Sequence, residues 1–243
     1  MSPHASSSLD RRRLLALGLT LVLSVPLARA AEPLRIGVIG TGRIGGALAG
    51  YWVKSGHEVL VSSRHPESLQ SLVAQWGPRA RAGTPREAAA FGQVILVSVP
   101  YGAMPQLGTD LASELAGKVI IDTSNPFERR DGAMAIEAQK KGAGVATAEY
   151  LHNRRVVRAF NCIPAATLAG ESDRKPERIA IPIGGDDPKA LEIAARLVRE
   201  AGFDPVVIGS LAATREFDLG QPLASGRLTA AEMRSKLKEV QGR

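Results

Sequence analysis

The 243-residue sequence is poor in the residue types from which most metal and redox centres are built. It holds one cysteine, Cys162, and four histidines. A single cysteine excludes an internal disulfide framework and any cysteine-cluster metal site. The histidines stand in neither HxxH nor HExxH spacing, which argues against a zinc enzyme, so no metal ligand is expected. Aromatic residues make up only 4%, too few for the stacking platforms of a base-reading protein, and no nucleic-acid partner is expected. What is present is an ordinary globular mixture: 44% apolar and 23% charged residues, with Gly 25 and Pro 15. Neither disorder nor a polytopic membrane protein fits that mixture, and the length suits one or two domains with a sizeable core. The formal charge of +7 is unevenly spread. Arg11, Arg12, Arg13 and Arg29 crowd the first thirty residues against Asp10 alone. The remainder is mildly basic, as suits small anionic ligands better than a DNA track.

Those first thirty residues read as an export signal. Ser8 to Leu15 is a basic stretch with consecutive arginines. The uncharged run Leu14 to Ala28 is 15 residues long, short of the roughly 20 a membrane span needs. Ala28-Arg29-Ala30 supplies an A-x-A cleavage site, so cleavage after Ala30 and a periplasmic product are expected. An Arg-Arg pair followed by Leu resembles the twin-arginine signal, which exports folded proteins with cofactor already bound. A Sec signal or an uncleaved anchor is the alternative.

The rest of the chain alternates between strand and helix patterns. Short apolar runs at 34–39, 58–62, 79–82, 94–99, 118–122, 156–160, 179–183 and 205–208 predict strands. Helices are predicted over 42–55, 66–76, 84–91, 104–115, 163–168 and 187–201, with a terminal helix after Thr229. Thr84 to Glu87 and Thr229 to Glu232 are capping boxes. Alternation of this kind predicts an α/β protein of Rossmann type: a doubly wound, mostly parallel sheet with a small C-terminal α/β extension. The expected layout is a signal peptide over 1–30, a dinucleotide-binding domain over 31–160, the extension over 161–212, and a tail with a terminal helix over 213–243.

Gly40-Thr41-Gly42-Arg43-Ile44-Gly45 is G-x-G-x-x-G, following a predicted strand and opening a predicted helix. In that context it is a dinucleotide fingerprint. Gly40 allows the tight turn, Gly42 lets a diphosphate approach the backbone, and Gly45 lets the helix pack close. The helix N-terminus then offers free N–H groups and partial positive charge. An NAD site carries an acid at the tip of the second strand. Here the tip reads Ser62-Ser63-Arg64-His65. Hydroxyls and a guanidinium suit a ribose 2′-phosphate, which a carboxylate would repel. The reading is NADP(H) rather than NAD, with Thr41 near enough to join. Arg43 is open between phosphate contact and exposed helix surface.

Ligands of open α/β sheets sit beyond the carboxyl ends of the strands. Val99, Pro100 and Tyr101 end the fourth predicted strand, Asn125 follows the fifth, and Asn161, Ile163 and Pro164 follow the sixth. These are the candidates for lining a hydride-transfer site. The two asparagines serve as turn formers in the competing reading, and Tyr101 and Cys162 as packing residues. His152, the nearest acid–base candidate, reads as a surface residue.

The stretches GTGRIG (40–45), SSRHPE (62–67), VSVPYGAM (97–104), VVRAFNCIPA (156–165) and PIGGDDPKA (182–190) together resemble the coenzyme-F420-dependent NADP oxidoreductase family. The cytosolic domain of the six-transmembrane ferric reductases is similar. The resemblance implies that Thr41, Ser63 and Arg64 hold the 2′-phosphate. It also implies that Val99, Pro100, Ile163 and Pro164 border the nicotinamide and a deazaflavin (F420) or flavin co-substrate. An export signal is foreign to the core family. An NADP-linked dehydrogenase or imine reductase, and a non-catalytic NADP-binding redox sensor, stand as alternatives. Expected partners are a small-molecule redox acceptor and the twin-arginine export machinery, with a homodimer left open.

Overall fold

Arg35–Ile39 (β1) is an apolar run whose last four residues are buried, and it sits inside the sheet. Its neighbours are Glu58–Ser62 (β2) and Val94–Val97 (β4), both parallel to it. Ala80–Gly83 (β3) lies outside β2, and Val119–Asp122 (β5) and Val156–Arg158 (β6) continue beyond β4. In this computed structural model, which describes residues 32–153 and 155–242, the sheet is completed by Ala180–Gly185 (β7) and Asp204–Gly209 (β8). Its order is β3-β2-β1-β4-β5-β6-β7-β8. The first six strands have the order of a doubly wound dinucleotide fold. β7 runs antiparallel to β6, and β8 parallel to β7. The predicted signal and its arginines lie outside the described residues.

Fully buried strands need cover on both faces. Arg43–Lys54 (α1) and Pro188–Glu200 (α10) cover one. Leu48, Trp52, Leu197 and Val198 pack there on Val38, Leu96, Ile121 and Ile181. The Trp52 indole N–H donates to the Leu197 carbonyl at 2.9 Å, so its polar edge is satisfied in the core. On the other face Tyr101, Met104, Leu111 and Leu151 cover Ile39, Ile95, Val97 and Ile120. A smaller cluster of Phe217, Leu223 and Met233 packs on Val206 and Ile208. All of this belongs to the unit Pro33–Arg243.

Gln70–Trp76 (α2) follows a 3-10 turn at Pro66–Leu69, and Pro85–Phe91 (α3) starts at the predicted capping box of Thr84 and Glu87. The helix predicted over 104–115 is interrupted at Leu111, giving Met104–Asp110 (α4) and Ala112–Leu115 (α5). Between β5 and β6 lie three helices that periodicity did not reveal: Glu128–Asp131 (α6), Ala133–Lys141 (α7) and Ala143–Tyr150 (α8). Their buried positions are mostly alanine, such as Ala135, Ala138 and Ala146, so no stripe of large apolar residues marks them. Ala165–Gly170 (α9) begins two residues later than predicted, and Ala230–Gln241 (α11) begins at its capping box.

Candidate functional site

Parallel strands bring the ends of β2, β1, β4, β5 and β6 to one edge of the sheet in that order. Arg64, Gly40, Val99, Asn125 and Asn161 therefore succeed one another along it. The edge carries a cleft of about 550 Å3, within the roughly 300–1,000 Å3 usual for small-molecule sites. The glycine loop forms its floor, Ser63 and Arg64 one end, Val99 and Pro100 the other. Ser68, Leu69, Pro85, Ala103 and Leu107 add walls that sequence reasoning missed, because they come from separate helices.

The glycine loop fits a dinucleotide diphosphate at each position. Gly40 has φ +96°, and a Cβ there would lie 2.4 Å from the Ser98 carbonyl oxygen. At Gly45 a Cβ would lie 2.1 Å from the Gly40 oxygen, so only glycine lets α1 start this close to the loop. Gly42 is the opposite case: a Cβ would meet nothing within 4 Å. That open space lies over the N-terminus of α1, whose first turn holds no acid and whose N-cap, Gly42, has no capping side chain. Unpaired N–H groups and the helix dipole make this a place for phosphate oxygens. The Arg43 side chain is exposed and does not line the cleft, and the Ile44 side chain packs inward on the core, so what these two residues present to the cleft is their backbone amides.

The β2 tip separates the predicted hydroxyls. Ser62 is buried and its Oγ donates to the Val38 carbonyl at 2.7 Å, so it braces the sheet and is not available to a phosphate. The Thr41 hydroxyl donates to the Ser62 carbonyl at 2.9 Å, tying the glycine loop to the tip. Ser63 Oγ accepts from the His65 amide. Arg64 is exposed, lines the cleft and has no side-chain partner among the described residues. No carboxylate lines the cleft beside it.

Beyond Val99 the edge belongs to a buried polar network. Arg158, at the end of β6, is wholly buried. Its guanidinium reaches Asp122 at 3.0 Å, Asp218 at 2.8 Å, the Ser124 carbonyl at 2.8 Å and Asn125 Oδ1 at 3.0 Å. Asp122 also accepts from the Thr147 hydroxyl and the Ser124 amide. Asn125 Nδ2 donates to the Asn161 carbonyl at 2.7 Å, and Asn161 Nδ2 to the Phe217 carbonyl at 2.9 Å. Asn161 Oδ1 is buried without a partner. It follows Phe160, whose φ of +60° is strained for a bulky residue. Asn125, Asn161, Ile163 and Pro164 thus lie further along the edge than the cleft wall, with Gly226 of the C-terminal segment packed on Cys162–Pro164.

Two candidates are removed from contact with a ligand. Tyr101 is fully buried, its hydroxyl donates to the Ala143 carbonyl at 2.7 Å, and burial raises its pKa. Cys162 is buried, which pushes its thiol up to about 12, so it stays neutral. Both pack, as the competing reading had it. His152 is exposed, and among the described residues no group of acids, histidines or cysteine is placed to hold a metal.

Fold and cleft define the class as dinucleotide-binding proteins of Rossmann type. A family model described as NADP oxidoreductase, coenzyme F420-dependent, matches residues 35–126. Metalloreductase STEAP3 of Rattus norvegicus is 33% identical over 192 residues, 77% of this chain and 36% of that protein. The chain therefore spans about a third of the length of that relative. F420-dependent NADP reductase of Methanothermobacter thermautotrophicus is 29% identical over 204 residues, 78% of this chain and 87% of that one. Among solved structures, a hypothetical protein from Sinorhizobium meliloti aligns with a TM-score of 0.67 at 28% identity, covering 82% of this chain and 96% of that chain. An imine reductase from Myxococcus stipitatus in complex with NADP+ shares the fold at 20% identity, with a TM-score of 0.55, over 86% of this chain and 62% of that one.

The glycine geometry predicts that Gly42→Ala separates folding from binding. With nothing near the new methyl and φ at −81°, stability should change by no more than about 0.5 kcal/mol. NADP+ affinity should fall at least tenfold, as read by nucleotide titration beside urea unfolding. The buried network predicts a contrast in stability. Arg158→Met strands Asp122 and costs about 3–5 kcal/mol in urea unfolding. Asp122→Asn keeps Arg158 paired with Asp218 and should cost clearly less.

Proposed function

We propose that the protein is an NADPH-dependent reductase that passes hydride between NADP(H) and a planar flavin-like or deazaflavin acceptor. The observation carrying this reading is the partnerless Arg64 at the β2 tip, with no acid beside it, at one end of a glycine-floored cleft. Arg64 and Ser63 hold the 2′-phosphate, with Thr41 bracing the loop beneath. The amides at the start of α1 take the diphosphate over Gly42. Val99 and Pro100 form the apolar wall at the nicotinamide end. NADPH, when bound, supplies the hydride.

The chemistry of the lining supports hydride transfer between stacked rings. Arg64 is the one charged side chain among the residues lining the cleft, and it stands at the adenosine end. No Asp, Glu, His, Lys or Tyr lines the wall around Val99. Reduction of a small imine or ketone calls for a proton donor at the reacting group. Transfer between parallel rings depends on proximity and orientation instead, which a fixed apolar wall provides. Two relatives that match over most of this chain support the same choice, since their names are those of an F420-dependent NADP reductase and a metalloreductase. The reading also has the protein leaving the cytoplasm by the twin-arginine route, on the strength of Arg11–Arg13 and the Ala28-Arg29-Ala30 site.

Arg64→Asp replaces an attractive charge with a repulsive one at the 2′-phosphate. NADPH binding, followed by nicotinamide fluorescence, should weaken by about 2 kcal/mol or more, while NADH binding is nearly unaffected. Equal NADPH affinity in the variant and the parent would sink the assignment. Joint replacement of Arg11, Arg12 and Arg13 by Lys should abolish periplasmic accumulation, as seen by cell fractionation. Normal accumulation would exclude the twin-arginine route.

A further inference from the structure

Along the sheet edge past Val99 lies a second, smaller cavity that the dinucleotide does not account for. Its volume is about 220 Å3, below the roughly 300–1,000 Å3 that encloses a whole ligand. It is sized for one end of a larger molecule. Asn125 and Pro126 from the β5 loop bound it on the cleft side. Gln139 of α7 and the C-terminal segment with Arg215, Asp218 and Gln221 close it on the other.

The polar groups in it divide sharply. Asn125 is committed to Arg158 and Asn161, and Gln139 Nε2 donates to the Pro126 carbonyl at 3.0 Å. The side chains of Arg215 and Gln221 have no partner among the described residues. Asp218 keeps acceptor capacity, since its carboxylate takes only Arg158 and, at 3.3 Å, the Ala143 amide. An unpaired donor cation, an acceptor anion and an amide thus face one small space. Opposite signs side by side suit neither a simple anion nor a simple cation. They suit a neutral edge that alternates acceptors and donors.

Two apolar side chains join the polar ones in the lining: Pro126 and Leu219, the latter 46% exposed. Phe127, 44% exposed, is the next residue after Pro126 but does not line the cavity. Phe127 is fixed by Arg130, whose guanidinium lies 5.1 Å from the ring centre and is itself held by Asp131 at 2.7 Å and the Asn125 carbonyl at 2.7 Å. A proline and an exposed leucine beside the polar groups leave room for a flat heteroaromatic ring with one polar edge.

We infer that this cavity is the anchoring subsite of the hydride acceptor, and that it takes the C2=O, N3–H, C4=O edge of a pyrimidinedione-fused ring. Arg215 and Gln221 donate to the two carbonyl oxygens and Asp218 accepts the N3–H, with Pro126 and Leu219 against the ring. The inference rests on the proposed reductase function and adds which part of the acceptor is read, and by which residues. Arg215, Asp218 and Gln221 act as specificity-determining residues.

The probe is lumiflavin, titrated by fluorescence quenching into the full-length protein at saturating NADP+, with 3-methyllumiflavin, which lacks the N3–H, as its partner. NADP+ affinity is measured in the same samples and reads the functional assignment separately. Expected results are binding of lumiflavin and at least tenfold weaker binding of the methylated ring. Arg215→Ala and Gln221→Ala should each weaken lumiflavin binding at least tenfold and leave NADP+ affinity within twofold. Turnover should follow suit: KM for FMN rises in both variants, while KM for ferricyanide, which has no such edge, is unchanged. Equal affinity for the two flavins, or lumiflavin binding unaltered in both variants, overturns the subsite whatever NADP+ does. A homodimer seen by sedimentation whose formation excludes lumiflavin overturns it as well.

Discussion

A guanidinium with no access to water governs the half of the site away from the glycine loop. Arg158 sits at the inner end of β6, where an unpaired charge would be untenable. It is stable there because Asp122 from β5 and Asp218 from the C-terminal segment meet it, and because the Ser124 and Asn125 loop turns its oxygens inward. Those partners come from two stretches of chain, 122–125 and the segment holding Asp218, both far from Arg158 in sequence. One side chain therefore fixes the β5 loop, the β6 end and the segment after β8 in a single arrangement. A methionine of similar length would fill the space and leave that arrangement unspecified. Asn125 and Asn161, read from sequence as candidates for ligand contact, are oriented by this network and spend most of their capacity on it.

The glycine-loop half is held differently. Its geometry follows from steric exclusion over a few residues: Gly40 and Gly45 where any Cβ would strike backbone, and Gly42 where space is left open. The Thr41 hydroxyl then fastens the loop to Ser62. Such a loop is preorganised, so little backbone entropy has to be lost when phosphate arrives. One cation, Arg64, is added at the end of the cleft, with no partner among the described residues to compete with a ligand. On the proposed reading, steric rules place the diphosphate and electrostatics chooses the ribose.

That division explains what the sequence made legible. The fingerprint, the basic tip of β2 and the capping boxes depend on neighbours a few residues apart, so their meaning survives in a string of letters. Arg158 with Asp218 is a pairing across 60 positions, and no periodicity announces it. A signal was present, since an arginine inside the apolar run VVRAF must find a carboxylate if the run is a buried strand. The helices between β5 and β6 escaped because alanine buries without marking a face. Tyr101, open in sequence between ligand contact and packing, is settled by the 3-10 turn at Tyr101–Ala103, with its ring buried in the core.

The same division bears on how far kinship carries. The family model matches residues 35–126 and stops beside Asn125, where the second cavity begins. Everything that builds the NADP cleft lies within that stretch. The other residues around the second cavity come from α7 and from the segment after β8, outside it. A cofactor common to many enzymes demands the same local sterics in each, whereas an acceptor is read by side chains that any chain can exchange without disturbing the loop. The exposed side chains of Arg215 and Gln221, with no partner among the described residues, are free to change at little cost in stability. On the proposed reading, the identity of the acceptor is written in the part of this molecule that its fold least constrains.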